Sequence, residues 1–201
     1  MWASLYHGTI SNWTANIGKG FRWETSKHCN SRPYTYLYRL QKKEPMAFEI
    51  RKAKSDDMQA VWDLIKELAI YEKAPDELTV TVAELQRDGF GENPQFKVFL
   101  GELDGNLVGI AFYYISYSTW KGTCLYLEDL VVTQAERGKG FGKLLFTAVA
   151  EEAKHIGAKR MSWQVLDWNT PAIDFYKHMG AGLDAGWING RYTAEELQSK
   201  F

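Results

Sequence analysis

Cysteine is scarce. Cys29 and Cys124 are the chain's only two, too few for a disulfide framework and without the paired spacing of a zinc or dithiol site. They read as two reduced thiols of a cytoplasmic protein, and no metal is expected. Apolar runs are short as well: none approaches the roughly 18 residues of a membrane-spanning helix, so no membrane partner is expected. Excess charge is missing, with 24 Lys+Arg against 25 Asp+Glu and a net of −1, so nucleic acid is not an expected partner either. What remains, 45% apolar and 24% charged residues over 201 positions, is the composition of a globular domain.

The near-zero charge hides two unlike pieces. Residues 1–45 hold 7 Lys+Arg and 2 Asp+Glu, whereas residues 46–201 hold 17 and 23, a local −6. The first segment also carries Trp2, Trp13 and Trp23, and no period of 2 or 3.6 runs through it. It lacks the continuous apolar stretch of a secretory signal and the amphipathic, Ser-rich character of a mitochondrial presequence. Order begins at once after Met46, so Met46 is the expected natural start and 1–45 an irregular basic extension, upstream or vector-derived. Residues 46–201 are the expected domain.

From Phe48 the pattern is α/β. Phe48–Arg51 alternates as a strand, and Ser55 can cap a helix opened by Asp56 and Asp57 and lined by Val61, Leu64, Ile65 and Leu68. Thr81 and Glu84 have capping-box spacing for a shorter helix ending near Gly89. Phe96–Leu103 and Leu107–Tyr117 read as strands joined at Asp104-Gly105-Asn106, a hairpin signal, and Cys124–Val132 as another strand. A helix follows the glycine-rich run, with Leu145, Val149, Ala153 and Ile156 on one stripe and Gly157 at its end. Then come a strand over Lys159–Leu166, a helix capped by Thr170 with Pro171 at its first position and closed by Gly180, a short strand near Ala185–Asn189, and a terminal helix from Thr193. The expectation is one α/β domain with a mixed sheet.

Two motifs carry chemistry. Gly138-Lys139-Gly140-Phe141-Gly142 between a strand and a helix offers backbone N–H groups at a helix N-terminus, suited to phosphate, with Arg137, Lys139 and Lys143 adding positive charge. It is not a Walker loop, since Lys143 is followed by Leu144, and its third glycine comes one residue early for the dinucleotide fingerprint. Upstream, Glu128 and Asp129 interrupt an otherwise apolar strand. Adjacent strand residues face opposite ways, so both can enter one cleft only if a bulge intervenes. Two idle carboxylates there would be costly to bury, which makes at least one a functional candidate.

Arg137-x-x-Gly140-x-Gly142 after a strand, with Asn169 and Tyr176 downstream, resembles the GCN5-related N-acetyltransferase superfamily (GNAT). Ile65-Lys66-Glu67-Leu68-Ala69, Tyr71-Glu72, Asp88-Gly89-Phe90-Gly91-Glu92, Leu125-Tyr126-Leu127-Glu128-Asp129 and Trp168-Asn169 are similar to its diamine (spermidine/spermine) acetyltransferase family. Tyr117–Gly122 and Val165–Asn169 lean toward the thialysine N-epsilon-acetyltransferase branch. The resemblance implies a single GNAT-type domain, a mostly antiparallel mixed sheet flanked by helices on both faces.

It also implies acetyl-CoA as donor, a small-molecule amine as acceptor, direct attack in a ternary complex, and a homodimer. Acetyl-CoA would lie along the backbone of Leu130, Val131 and Val132, on the loop Arg137, Gly138, Lys139, Gly140, Phe141, Gly142 and Lys143, and against Asn169, Thr170, Pro171, Ala172 and Tyr176. The amine would meet Tyr71, Glu72, Ser118, Thr119, Trp120 and Glu128. Glu128 would accept a proton through water, and Tyr176 would protonate the departing thiolate. A free alkylammonium near pKa 10.4 facing a carboxylate near 4.3 makes direct transfer uphill by roughly 8 kcal/mol, while Tyr and a thiol differ by about 2 kcal/mol.

Two departures bear on selectivity: Ser118 stands where a polyamine enzyme of this family carries an acid, and Ala185 replaces the acid before Gly186-Trp187, with Asp184 beside it. Fewer carboxylates favour an amino acid with one side-chain amine, thialysine- or lysine-like, or a short diamine over a longer polyamine. The alternatives are acetylation of a protein N-terminus or lysine, and a non-catalytic acetyl-CoA sensor, which retention of both Glu128 and Tyr176 disfavours.

Overall fold

In the computed structural model, which describes residues 47–201, four strands run as an antiparallel meander and a fifth joins in parallel. They are β1 (Phe48–Lys52), β2 (Lys97–Leu103), β3 (Asn106–Ser118), β4 (Gly122–Val132) and β5 (Met161–Ser162), in that spatial order. The β2–β3 turn places Asp104 at φ 50° and Gly105 at φ 79°, the left-handed pair that matches strand twist in a tight hairpin. The expected segment 1–45 and its boundary at Met46 lie outside the described residues, as does Cys29; Cys124 is a buried free thiol.

Helices cover both faces, as expected. On one face, α1 (Met58–Tyr71) and α2 (Val82–Phe90) pack Met58, Val61, Leu64 and Leu85 against Val98, Leu100, Ile110 and Val131. On the other, α3 (Phe141–His155) and α4 (Thr170–His178) pack Leu145, Phe146, Val149 and Tyr176 against Phe99, Ala111, Tyr113, Leu125 and Leu127. A last helix, α5 (Ala194–Lys200), is capped by Thr193, whose side chain accepts from the Glu196 N–H. The Thr81–Glu84 capping box at α2 is present in both directions.

Four local expectations are corrected. Ser55 does not cap α1; it opens a short 3₁₀ turn, Ser55–Asp57, and the Asp57 carboxylate accepts the Lys54 N–H at 2.7 Å while Arg51 grips it with two bonds of 2.7 and 2.8 Å. Asn169, not Thr170, caps α4, accepting the Ala172 N–H at 3.3 Å, so Pro171 takes the second helical position. The strand expected over Lys159–Leu166 shrinks to Met161–Ser162 because β5 leaves β4 after two paired positions. Ala185–Asn189 forms no strand and is solvent-exposed.

Candidate active site

The site arises from two irregularities of β4. The first is a bulge: Phe112 pairs with Asp129 and Tyr113 with Leu127, so Glu128 has no partner on β3. Leu127 and Leu130 then both pack toward α3 and α4 although three positions apart, and Val131 turns toward α1. The bulge therefore puts Glu128 and Asp129 together on the α1 face, the condition the sequence had left open.

The second is the divergence of β4 and β5. They pair only at Leu125–Met161 and Tyr126–Ser162, so beyond Tyr126 the outer edge of β4 has no strand beside it. An unpaired edge is a template for an extended partner. It opens onto a cleft of about 740 Å³ lined by Leu130, Val131, Val132, the glycine-rich loop and the first turns of α4.

The loop closes one end. Gly138 has φ 77° and Gly140 φ 91°, and a Cβ at either would point into open space. Gly140 is the N-cap of α3 and has no side chain to accept, so the first N–H groups of that helix are left for a bound anion. Of the three expected cations, Lys139 is paired with Glu136 at 2.6 Å, and Arg137 donates from Nε to the Val132 carbonyl at 2.8 Å. Lys143 reaches the cleft with no ion pair among the described residues. The expected cofactor residues thus line one cavity, except Lys139 and Thr170, which do not border it.

Carboxylates gather near Tyr176, although Glu72, Glu128 and Asp129 do not themselves line the cleft. Tyr176, 7% exposed, lines the cleft, and burial, then the charges of Asp129 and Glu72, push its hydroxyl up to about 12. Burial, then Glu128, then Glu72, lift the Asp129 carboxyl to about 7. Burial also raises Glu72, the residue just past α1. Glu128 is exposed at the bulge beside the stacked Tyr114 and Tyr126. Sequence reasoning weighed Asp129 but did not place it in the site; its signal was a charge in an apolar strand.

Two groups of expected amine residues sit elsewhere. Ser118, Thr119 and Trp120 occupy the tip of the β3–β4 hairpin, seven residues along β4 from Asp129, roughly 24 Å at strand rise, with Trp120 84% exposed. Within one chain they do not reach the cleft. Tyr71 lines the cleft, but its hydroxyl donates to Asn169 Oδ1 at 3.1 Å rather than facing the carboxylates.

A match to the acetyltransferase (GNAT) family spans residues 58–181, taking in α1, the bulged strand, the glycine loop and α4. The chain belongs to that family. It is an acetyl-CoA-dependent N-acetyltransferase. It is 43% identical over 165 residues to the thialysine N-epsilon-acetyltransferase of Bos taurus, covering 76% of this chain and 97% of that one. The Sus scrofa protein of the same name is 40% identical, with 74% and 94% covered. Among solved structures, an integron cassette protein from the mobile metagenome of V. cholerae superposes with a TM-score of 0.64 at 25% identity, covering 78% of this chain and 98% of that one. The two thialysine N-epsilon-acetyltransferases agree with the family and branch that the motifs resembled.

Proposed function

We propose that this GNAT domain, read as residues 46–201, acetylates the primary amine of a small molecule, a thialysine- or lysine-like amino acid or a short diamine. The observation that carries it is the approach of Glu72 and Asp129 to the cleft-lining Tyr176 hydroxyl, with Glu128 next to Asp129 on the bulge. Two recessed carboxylates with a third, exposed one at the rim attract an ammonium group, and the relatives' printed activity on thialysine supports an amino-acid acceptor.

Acetyl-CoA fits the cleft as donor: its phosphates match the N–H groups and Lys143 at the glycine loop, and an extended arm matches the open edge of β4. The thioester supplies the acetyl group that the amine nitrogen attacks. For the chain's residues the task is moving protons. Passing an ammonium proton at 10.4 to a carboxyl near 7 costs about 5 kcal/mol, against roughly 8 for an ordinary glutamate. Asp129 takes and holds that proton through the transfer; after the thiol has left, Glu128, exposed at the bulge, passes it through water to solvent. Once Asp129 is neutral, one of the charges that hold Tyr176 high is gone, and its hydroxyl becomes a stronger acid for the leaving thiolate.

Trp187, Ile188, Tyr192 and Phe201 are large apolar residues left exposed, and Ile188 is 99% so. Their burial in a homodimer, which would also give the Ser118–Trp120 tip a second copy's cleft to approach, belongs to the same proposal. No helix among the described residues is long and apolar enough to cross a membrane, and a cytoplasmic location is proposed from the scarcity of cysteine and the free Cys124 thiol. The test is thiol release from acetyl-CoA over a panel of thialysine, lysine, diamines, spermidine and a peptide, with Glu128→Gln and Tyr176→Phe beside wild type. Preference for thialysine over spermidine, with large losses in both variants, is expected. Turnover of the peptide alone, or none of any amine, overturns the reading.

A further inference from the structure

Helix α1 touches both walls of the cleft through two side chains one helical turn apart. Glu67 accepts the Thr133 hydroxyl at 2.9 Å and the Gln134 N–H at 2.8 Å, the two residues that follow β4. The same carboxylate lies 3.9 Å from Arg137 Nη2. Arg137 in turn donates to the carbonyl of Val132, the last residue of the open edge. Four residues on, which is the same helix face, the Tyr71 ring lies under the Arg137 guanidinium, 4.7 Å from ring centre to Cζ. The Tyr71 hydroxyl then reaches Asn169 Oδ1, the atom that caps α4. Asn169 is 8% exposed, so this contact sits inside the structure rather than on its surface. An unbroken line of contacts therefore runs from the end of β4, across α1, to the start of α4, and the cleft lies between its ends.

We propose that Glu67 and Tyr71 are positioning residues that preset the width of the acetyl-CoA slot, Glu67 by pinning the β4–α3 loop and Arg137, Tyr71 by holding the α4 N-terminus to them. The proposal rests on the reading of this cleft as the acetyl-CoA site. It reassigns two residues. Arg137 acts as a brace on Val132 with its charge opposed by Glu67, which leaves Lys143 as the cation for phosphate. Tyr71 works on the cofactor side even though its neighbour Glu72 works on the amine side. A slot held open in advance spares the ligand the cost of ordering it, so loosening it weakens cofactor binding without touching the groups that move protons.

The experiment measures binding of CoA alone by calorimetry and steady-state kinetics for both substrates, using the full chain with Glu67→Ala, Glu67→Gln and Tyr71→Phe. Glu67→Ala and Tyr71→Phe are expected to weaken CoA about tenfold each, the effect of one or two lost hydrogen bonds. The acetyl-CoA KM should rise in step, while kcat and the amine KM stay within about twofold. Glu67→Gln keeps an acceptor oxygen for the loop and should recover most of the affinity. The double variant Glu67→Ala/Tyr71→Phe should lose less than the product of the single losses, because both contacts hold the same slot and either loss already loosens it. A raised amine KM with unchanged CoA affinity would put Tyr71 on the amine side and overturn the proposal. So would unchanged CoA affinity throughout, or a loss that follows thermal stability alone and is not recovered by Glu67→Gln. If wild type itself binds no CoA, it is the reading of the cleft that fails.

Discussion

Replacing Asp129 with Asn isolates the most unusual charge in the site. Burial and two neighbouring carboxylates raise this group from 3.8 to about 7, which corresponds to about 4 kcal/mol of destabilisation once it is ionised in the folded protein. The sign follows from proton counting. Between about pH 4 and 7 the folded chain binds more protons at this position than the unfolded chain, so stability falls as pH rises through that window and levels off above it. The uncharged amide of the Asp129→Asn variant carries no such cost. The advantage of Asp129→Asn over wild type should therefore grow by roughly 2–3 kcal/mol from pH 5 to pH 8, or by roughly 5–10 °C in Tm for a domain of this size. Urea titrations of both proteins at the two pH values measure it directly. Activity should move the other way: wild-type kcat rises through an acid limb near pH 7 as Asp129 ionises, and the variant loses that limb along with most of its turnover. A variant more stable at pH 8 yet poorly active fits a strained catalytic group. Stability curves that stay parallel from pH 5 to 8 would refute the reasoning, because the carboxylate would then be no more costly folded than unfolded.

Lys143→Ala should raise the acetyl-CoA KM roughly tenfold at low salt and less at high salt, since the lost term is a partly exposed charge on phosphate; kinetics at two ionic strengths check this. Ile188→Asp places a charge on the most exposed apolar residue described and should shift the protein from dimer to monomer in light scattering. An unchanged mass would remove the C-terminal segment from the proposed interface.

What could be read from the sequence depended on the span over which each feature is decided. The Thr81–Glu84 box, the Asp104-Gly105 turn and the glycine start and stop of α3 are settled within four or five residues, and each is found where the pattern placed it. The cap of α4 failed by one position because Asn169 and Thr170 both offer an acceptor, and Pro171 is tolerated at either of the first two helical positions. The features that make the site are decided at longer range. Whether Glu128 is bulged depends on how Phe112 and Tyr113 meet β4, and the open edge depends on β5 leaving after two pairs. Neither leaves a local mark beyond two carboxylates in an apolar strand. Motif likeness supplied the residue types but not their partners: it set Tyr71 beside the amine, whereas its hydroxyl binds the α4 cap across 98 residues of sequence. A carboxylate's role here follows from the same distinction. Glu128 and Asp129 are adjacent and chemically alike, yet the bulge leaves one in solvent and recesses the other against Tyr176 and Glu72. Burial raises the proton affinity of the recessed Asp129, which suits it to the proton-accepting role proposed for it.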